Sequence, residues 1–210
     1  MKRINWKILI TTSLICLLPI VLGIIYYNEI PQSVAIHFDI NNNPNTFMDK
    51  NIVLFLFPVG MTLMQIVCCV ATDLKKDDNH YTPKIEYICK SIVPVMSIFM
   101  YSLTLIIALG TKVDVRLFVC FFLSIIFIVT GNYLPKTASQ YLQSLLTISH
   151  PSSQRKVTRL MGYSFVISGL LLLISLFFSP IYSVLVVALI IIVLLVEAIY
   201  FYILIHKSKV

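Results

Sequence analysis

The chain has 210 residues, of which 59% are hydrophobic and only 12% are charged, about half the charged share of an ordinary soluble domain. A soluble core of this size cannot hide so much apolar surface, so the composition points to a membrane protein and excludes a disordered chain, a collagen, a coiled coil and a small disulfide scaffold. The net charge is +7, but most of the cationic residues fall between apolar runs, which makes membrane sidedness rather than nucleic acid their first meaning.

Six apolar runs, approximately 8–27, 52–72, 88–110, 117–133, 160–178 and 181–205, are each long enough to cross about 30 Å of hydrocarbon as a helix. Lys2, Arg3 and Lys7 precede the first run as in a secretion signal. The run is too long for one, and no small-residue cleavage site follows, so it reads as an uncleaved span. Pro19, Pro58 and Pro94 each interrupt one of the first three runs, and a kink is the expected result. The five cysteines form no Cys-x-x-Cys pair and lie in or beside apolar runs, where Cys behaves as a small hydrophobe.

Between the first two runs lies the longest loop, 28–51. Val34, Ile36, Phe38 and Ile40 alternate with Ala35, His37 and Asp39, the period of a strand with one apolar face. Asn41 to Asn43, Pro44 and Asn45 signal a turn, and Thr46 to Met48 can return as a second strand. A small β-hairpin on the membrane surface is predicted, with His37 and Asp39 pointing together off the apolar face. His37 has two readings: it hydrogen-bonds the turn, or, with Phe38, Asp39, Asn45 and Lys50, it faces an external peptide or ligand.

The fourth run ends in Gly131-Asn132-Tyr133-Leu134-Pro135-Lys136. Gly131 permits close helix contact, Asn132 needs a partner at low dielectric, and Pro135 is expected to end the helix. In 136–159, Tyr141, Leu142, Leu145, Leu146 and Ile148 recur at helical spacing, which predicts a short helix lying on the inner leaflet. Ser149-His150-Pro151-Ser152-Ser153 breaks it. Arg155, Lys156 and Arg159 then read either as headgroup anchors, each worth about 1 kcal/mol near an anionic surface, or as a docking patch for a cytoplasmic partner. Ser179-Pro180 separates the last two runs as a tight helical hairpin. Glu197 is the only acid read well inside a span. A charged acid at depth costs roughly 2.5 to 3.5 kcal/mol, so it must be protonated, paired or facing water, with Gln65 and Asn132 as candidate partners.

Thirteen Lys and Arg fall in the N-terminal tail, the segments after the second and fourth runs, and the C-terminal tail, against three (Lys50, Lys112 and Arg116) in the alternate loops. That asymmetry puts both termini in the cytoplasm. The expected fold is an all-α membrane protein of six transmembrane helices, N-in and C-in, with a small extracellular hairpin-like loop and a short cytoplasmic interfacial helix. No nucleophile–base pair, metal-ligand cluster or phosphate loop can be assembled, and the four His are scattered, so no catalytic residue, metal or cofactor is expected.

Ile30-Pro31, Ile36-His37-Phe38, the Asn-rich turn, Lys50 and Phe57-Pro58 together resemble the N-terminal module that often precedes the SdpI family. Gly131-Asn132-Tyr133-Leu134-Pro135-Lys136 is similar to that family's signature at the end of its fourth span, and Arg159-Leu160-Met161-Gly162 to the start of its fifth. One departure is clear: where family members carry a Gly-Ile-Arg-Thr-Pro-Trp-like stretch, this chain reads Ser-Leu-Leu-Thr-Ile-Ser at 144–149. The resemblance implies two modules, 1–110 with the external loop 28–51 and 111–210 with the cytoplasmic loop 134–159. It implies a multi-pass protein of the bacterial plasma membrane that gives immunity to a secreted killing peptide. Some such proteins also sequester a cytoplasmic repressor; no direct contact with nucleic acid is implied. The alternative is a small multi-span transporter or exporter using Glu197.

Overall fold

The computed structural model describes residues 4–74, 83–146 and 151–207, with side chains described except in 83–86, 136–146, 151–155 and 204–207. In chain order the elements are α1 (Trp6–Leu17), α2 (Pro19–Ile25), β1 (Ser33–Phe38), β2 (Pro44–Asp49), a π-helical turn (Ile52–Leu56), α3 (Phe57–Leu74), α4 (Pro83–Ala108), α5 (Val115–Leu146), α6 (Pro151–Ser175) and α7 (Pro180–Lys207). Six helical stretches among the described residues are long and apolar enough to cross a membrane, with α1–α2 forming one and the π turn with α3 another. They coincide with the six apolar runs. Two compact units divide the chain: Met1–Lys76 with Glu86–Val115, and Asp77–Ile85 with Arg116–Val210.

In the first unit, proline decides the local shape of the helices. Pro19 opens α2 after a one-residue break at Leu18, whose N–H is shared between the carbonyls of Leu14 and Ile15. Proline has no N–H to continue the ladder. The buried Ser97 hydroxyl donates to the Cys16 carbonyl beside this break (3.2 Å). Pro58 follows the π turn and would otherwise donate to the carbonyl of Leu54. That carbonyl accepts from the Tyr101 hydroxyl instead, at 3.4 Å. A Cβ at Gly23 would overlap the same hydroxyl, so glycine is the residue that lets Tyr101 reach Leu54. Pro94 sits inside α4 without ending it.

The hairpin is anchored on this unit by apolar burial. Ile30 and Val34 pack with Val53, Leu54, Tyr101 and Leu105, and Tyr26, Tyr27, Phe55 and Ala108 lie around them. The strands are antiparallel, with Val34 opposite Met48 and Ala35 opposite Phe47, and the register shifts twice, at Ile36 between Ala35 and His37 and at Asn45 between His37 and Phe38. This bulge at Ile36 corrects the expected single apolar face. Val34 is buried, whereas Ile36 and Ile40 are exposed, because the extra residue turns the later side chains away from the core.

The second unit is built on close helix contact. Ser124 and Gly131 of α5 meet Gly169 and Gly162 of α6, seven residues apart on each helix. A Cβ on Gly131 would stand 2.7 Å from the Gly162 carbonyl oxygen, and one on Gly169 would stand 2.8 Å from the Ser124 carbonyl oxygen. Between these contacts Phe127 and Phe165 meet edge to face at 5.2 Å. Cys120, Leu172 and Ile190 form the buried core beside them. The turn 176–179 separates α6 from α7, as the Ser179-Pro180 pair predicts.

Three expectations are corrected here. Helix α5 does not end at Pro135 but runs on to Leu146, so residues 137–146 continue the same helix beyond the candidate span instead of forming a separate one. Pro135 is accommodated inside the helix, its ring against Gly162. Helix α6 starts at Pro151, nine residues before the predicted span, with Pro at the first position, where its missing N–H costs nothing. Of the predicted break at 149–153, residues 151–153 are helical as the start of α6, and 149 and 150 lie outside the described residues.

Close packing at the glycine seam gives a test. Gly131→Ala and Gly162→Ala should each destabilise the protein by about 1–3 kcal/mol through overpacking against backbone. Gly60→Ala, where a Cβ meets nothing within 4 Å, should be neutral. Unfolding of the three variants in one detergent, read by circular dichroism, checks the contrast.

Candidate functional site

The hairpin turn is fixed by side chains. Asp39 Oδ1 accepts the backbone N–H of Asn41 (2.9 Å) and of Asn43 (2.8 Å), and Oδ2 accepts from the Asn43 amide. Asn42 takes the left-handed conformation (φ 63°), which asparagine tolerates better than most residues. Its amide then reaches away from the turn: Nδ2 donates to the Val113 carbonyl (2.8 Å) and Oδ1 accepts the N–H of Val115 (3.0 Å). Val115 is the first residue of α5, so the hairpin tip caps one of the N–H groups that a helix start leaves open.

His37 Nδ1 and Asn45 Oδ1 lie 2.7 Å apart, so His37 ties the strand to the turn. At the base, Asp49 accepts from the Asn51 N–H (2.8 Å) and from the Gln32 side chain. The Lys50 ammonium sits 4.1 Å from the Tyr27 ring centroid and donates to the Tyr27 carbonyl, while the Tyr27 hydroxyl donates to Asn51. Backbone donors, chiefly that of Asn43 for Asp39 and that of Asn51 for Asp49, hold both carboxyls below their usual range.

The polar residues singled out in the sequence (His37, Asp39, Asn45 and Lys50) thus build the hairpin, and Phe38 beside them is half-buried. His37 and Asp39 do not form a shared face, since Asp39 is folded into the turn. What the hairpin presents outward is apolar. Phe47 is 54% exposed, and Ile36, Ile40 and Met48 are also exposed.

At the opposite end of the first unit is a polar network that the sequence reading missed. Lys90 Nζ donates to Asp73 Oδ1 at 2.6 Å, with both side chains 1% exposed. Asp73 Oδ2 accepts the N–H of Asn5 just before α1 (3.0 Å). Gln65 Nε2 donates to the Lys90 carbonyl and to Thr12 Oγ1, both at 2.8 Å, and contacts Cys69 Sγ. Gln65 Oε1 and Ser13 Oγ are buried with no hydrogen-bond partner among the described residues. The Gln65 amide nitrogen is therefore engaged within the first unit. Asp73 is thus a second buried acid beside Glu197, and Lys90, counted in the sequence among the cations of the segment after the second run, is buried. The signal was in the spacing: Gln65, Cys69 and Asp73 recur every four residues, which is one face of α3.

In the second unit the two stretches that carry the C-terminal resemblance meet. Gly131 and Pro135 of α5 both pack on Gly162 of α6. Asn132 is exposed, and Tyr133 is half-buried. Arg116 Nη1 donates to the Phe178 carbonyl and to Ser183 Oγ, both at 3.2 Å, and Ser183 Oγ lies 3.1 Å from Ser175 Oγ, which pins the α6–α7 turn. Glu197 on α7 is 8% exposed, and its Oε2 has no hydrogen-bond partner among the described residues. Lys156 and Arg159 are exposed on α6. The side chains of Lys136 and Arg155 lie outside the described residues.

Among the described residues no group of three or more His, Cys, Asp or Glu could hold a metal ion. All five cysteines are free.

A family model described as Domain of unknown function (DUF1648) matches residues 14–62. The match takes in the later part of the first span, the whole hairpin and the Pro58 turn. No curated protein and no solved structure matches the chain.

Two outcomes follow from this geometry. Lys90→Met should cost about 3–5 kcal/mol, because it strands a buried carboxylate, while the double change Asp73→Leu/Lys90→Met should recover much of that loss. A double-mutant cycle on unfolding in detergent reads both. Asp39 is a depressed acid, so its stabilisation of the turn is complete above the ordinary value of 3.8 and disappears as pH falls through the lower folded value. Amide signals of Asn41 and Asn43 should hold steady from neutral pH down to that ordinary value and shift only below it; in Asp39→Asn the titration should vanish.

Proposed function

We propose that this chain is an integral membrane immunity protein of the SdpI class, lying in a bacterial plasma membrane with both termini in the cytoplasm, where it binds a secreted killing peptide. The observation that carries the reading is the hairpin. It is cross-braced by Asp39, Asn42, His37 and Lys50, fixed on a lipid-embedded bundle, and presents apolar side chains to its surroundings. Such an element suits the capture of a peptide better than catalysis. The DUF1648 match supports the reading because it covers this same stretch. The meeting of Gly131, Pro135 and Gly162 supports it from the second half, since these are the positions on which the family resemblance rests.

A relay to a cytoplasmic repressor would use the basic start of α6 (Arg155, Lys156 and Arg159). The stretch 144–149 lacks the family's Arg and Trp, so immunity ranks above signalling here. The second reading is a small transporter or exporter, favoured by Glu197, whose buried carboxyl oxygen Oε2 has no hydrogen-bond partner among the described residues.

Expression in a sensitive strain should raise survival against the peptide encoded beside this gene, and deletion of 39–45 should abolish that protection while leaving the protein in the membrane. Glu197→Gln separates the two readings: immunity by capture predicts unchanged survival, and transport predicts its loss together with loss of flux in liposomes.

A further inference from the structure

A two-stranded sheet has two unpaired edges, and the two are not alike. The β1 edge is bent at Ile36 and the β2 edge at Asn45, where the register shifts a second time, but only the β1 chain is drawn into the core, through Ile30 and Val34. Strand β2 (Pro44–Asp49) is exposed at every position up to Met48 and has no further strand beside it among the described residues. Natural edge strands are commonly guarded by Lys, by Pro or by inward-pointing charge. Strand β2 carries no Lys, and its one Pro stands at the first position. Ala35 and Phe47 are directly opposite, on the face turned away from the buried Val34. The open edge is therefore bordered by an exposed aromatic ring.

Charge selects the occupant. The protein as a whole is strongly basic, yet residues 28–51 hold Glu29, Asp39 and Asp49 against the single Lys50, whose ammonium is already spent on Tyr27. Asp39 stands at the turn end of β2 and Asp49 at its base, roughly 17 Å apart at the rise of an antiparallel strand. Both stay ionised into acid, because backbone N–H groups favour their charged form. Surfaces that sink into anionic lipid carry Lys and Arg around their apolar residues. This one carries acids, and an unpaired strand edge is not tolerated in hydrocarbon. An extended peptide satisfies both features.

We propose that the free edge of β2 is a docking strand for an extended cationic peptide. The peptide adds a third strand along Asn45–Met48, packs an apolar side chain on Phe47, and sets basic residues about five positions apart against Asp39 and Asp49. This rests on the reading of the hairpin as the peptide-facing surface, and it names the chemistry of that partner.

The test uses the full chain in nanodiscs of zwitterionic lipid. The probe is a fluorescent synthetic peptide of alternating Val and Thr with one Lys near each end. Its controls are the same peptide with Glu for Lys and the same peptide N-methylated at alternate amides. The Lys probe should bind about tenfold or more tightly than the Glu probe, and its affinity should fall with added salt. N-methylation on one register should abolish binding, and Phe47→Ala should weaken it several-fold. Equal binding of the Lys and Glu probes, or indifference to N-methylation on both registers, overturns the inference. So does strong quenching of a Phe47→Trp variant by brominated lipid, which would put this face in the bilayer. A chain that protects cells yet binds none of the probes removes the docking strand and leaves immunity standing. One that binds as expected and protects against no neighbouring toxin does the reverse.

Discussion

The structure depends on the requirement that polar groups among apolar helices find their partners within the protein. The Asp73–Lys90 pair is where this requirement presses hardest. Two ionised side chains are withdrawn almost wholly from solvent, at a desolvation cost that only close geometry and further hydrogen bonds can offset. The geometry supplies them: the carboxylate takes one ammonium and one backbone N–H, and the backbone of Lys90 accepts from Gln65. The start of α1, the end of α3 and the start of α4 are tied at one point as a result. The same rule operates at Pro58, where a carbonyl deprived of its helical donor receives the Tyr101 hydroxyl.

The two units meet this requirement by different means. The first uses long polar side chains that cross between helices. The second brings backbones together at glycine and serine, where little side chain intervenes and packing supplies the attraction. In keeping with that difference, the buried polar residues of the first unit include the long side chains of Gln65 and Lys90 with Asp73, whereas those of the second are Ser and Thr, with Glu197 as its one buried acid among the described residues.

Much of the architecture was legible in the sequence because hydrophobic length and alternation are strong, local signals. The six apolar helices, the strand–turn–strand and the Ser179-Pro180 break all follow from them. The bulge at Ile36 was not legible, since a one-residue insertion in pairing leaves no mark on alternation. Pro135 misled because proline usually ends a helix, but close packing on Gly162 holds α5 together through it. Reading each charged residue by its neighbours hid Asp73 and Lys90. Each lies at the margin of an apolar run, and only the fourfold spacing from Gln65 shows that Asp73 faces inward. The candidate residues of the hairpin were found, and the reading of His37 as a brace of the turn matches its contact with Asn45. The polar ones stabilise the loop, and the neglected apolar ones, Phe47 above all, are exposed.

The amide of Asn42 carries a consequence for biosynthesis. Its two partners, Val113 and Val115, lie 71 and 73 residues later in the chain. At about 5–20 residues per second, a ribosome needs roughly 4 to 15 s to supply them. Until then the loop tip lacks these two partners. The hairpin is thus completed late: its tip is locked only after the whole of α4 and the first residue of α5 have been made.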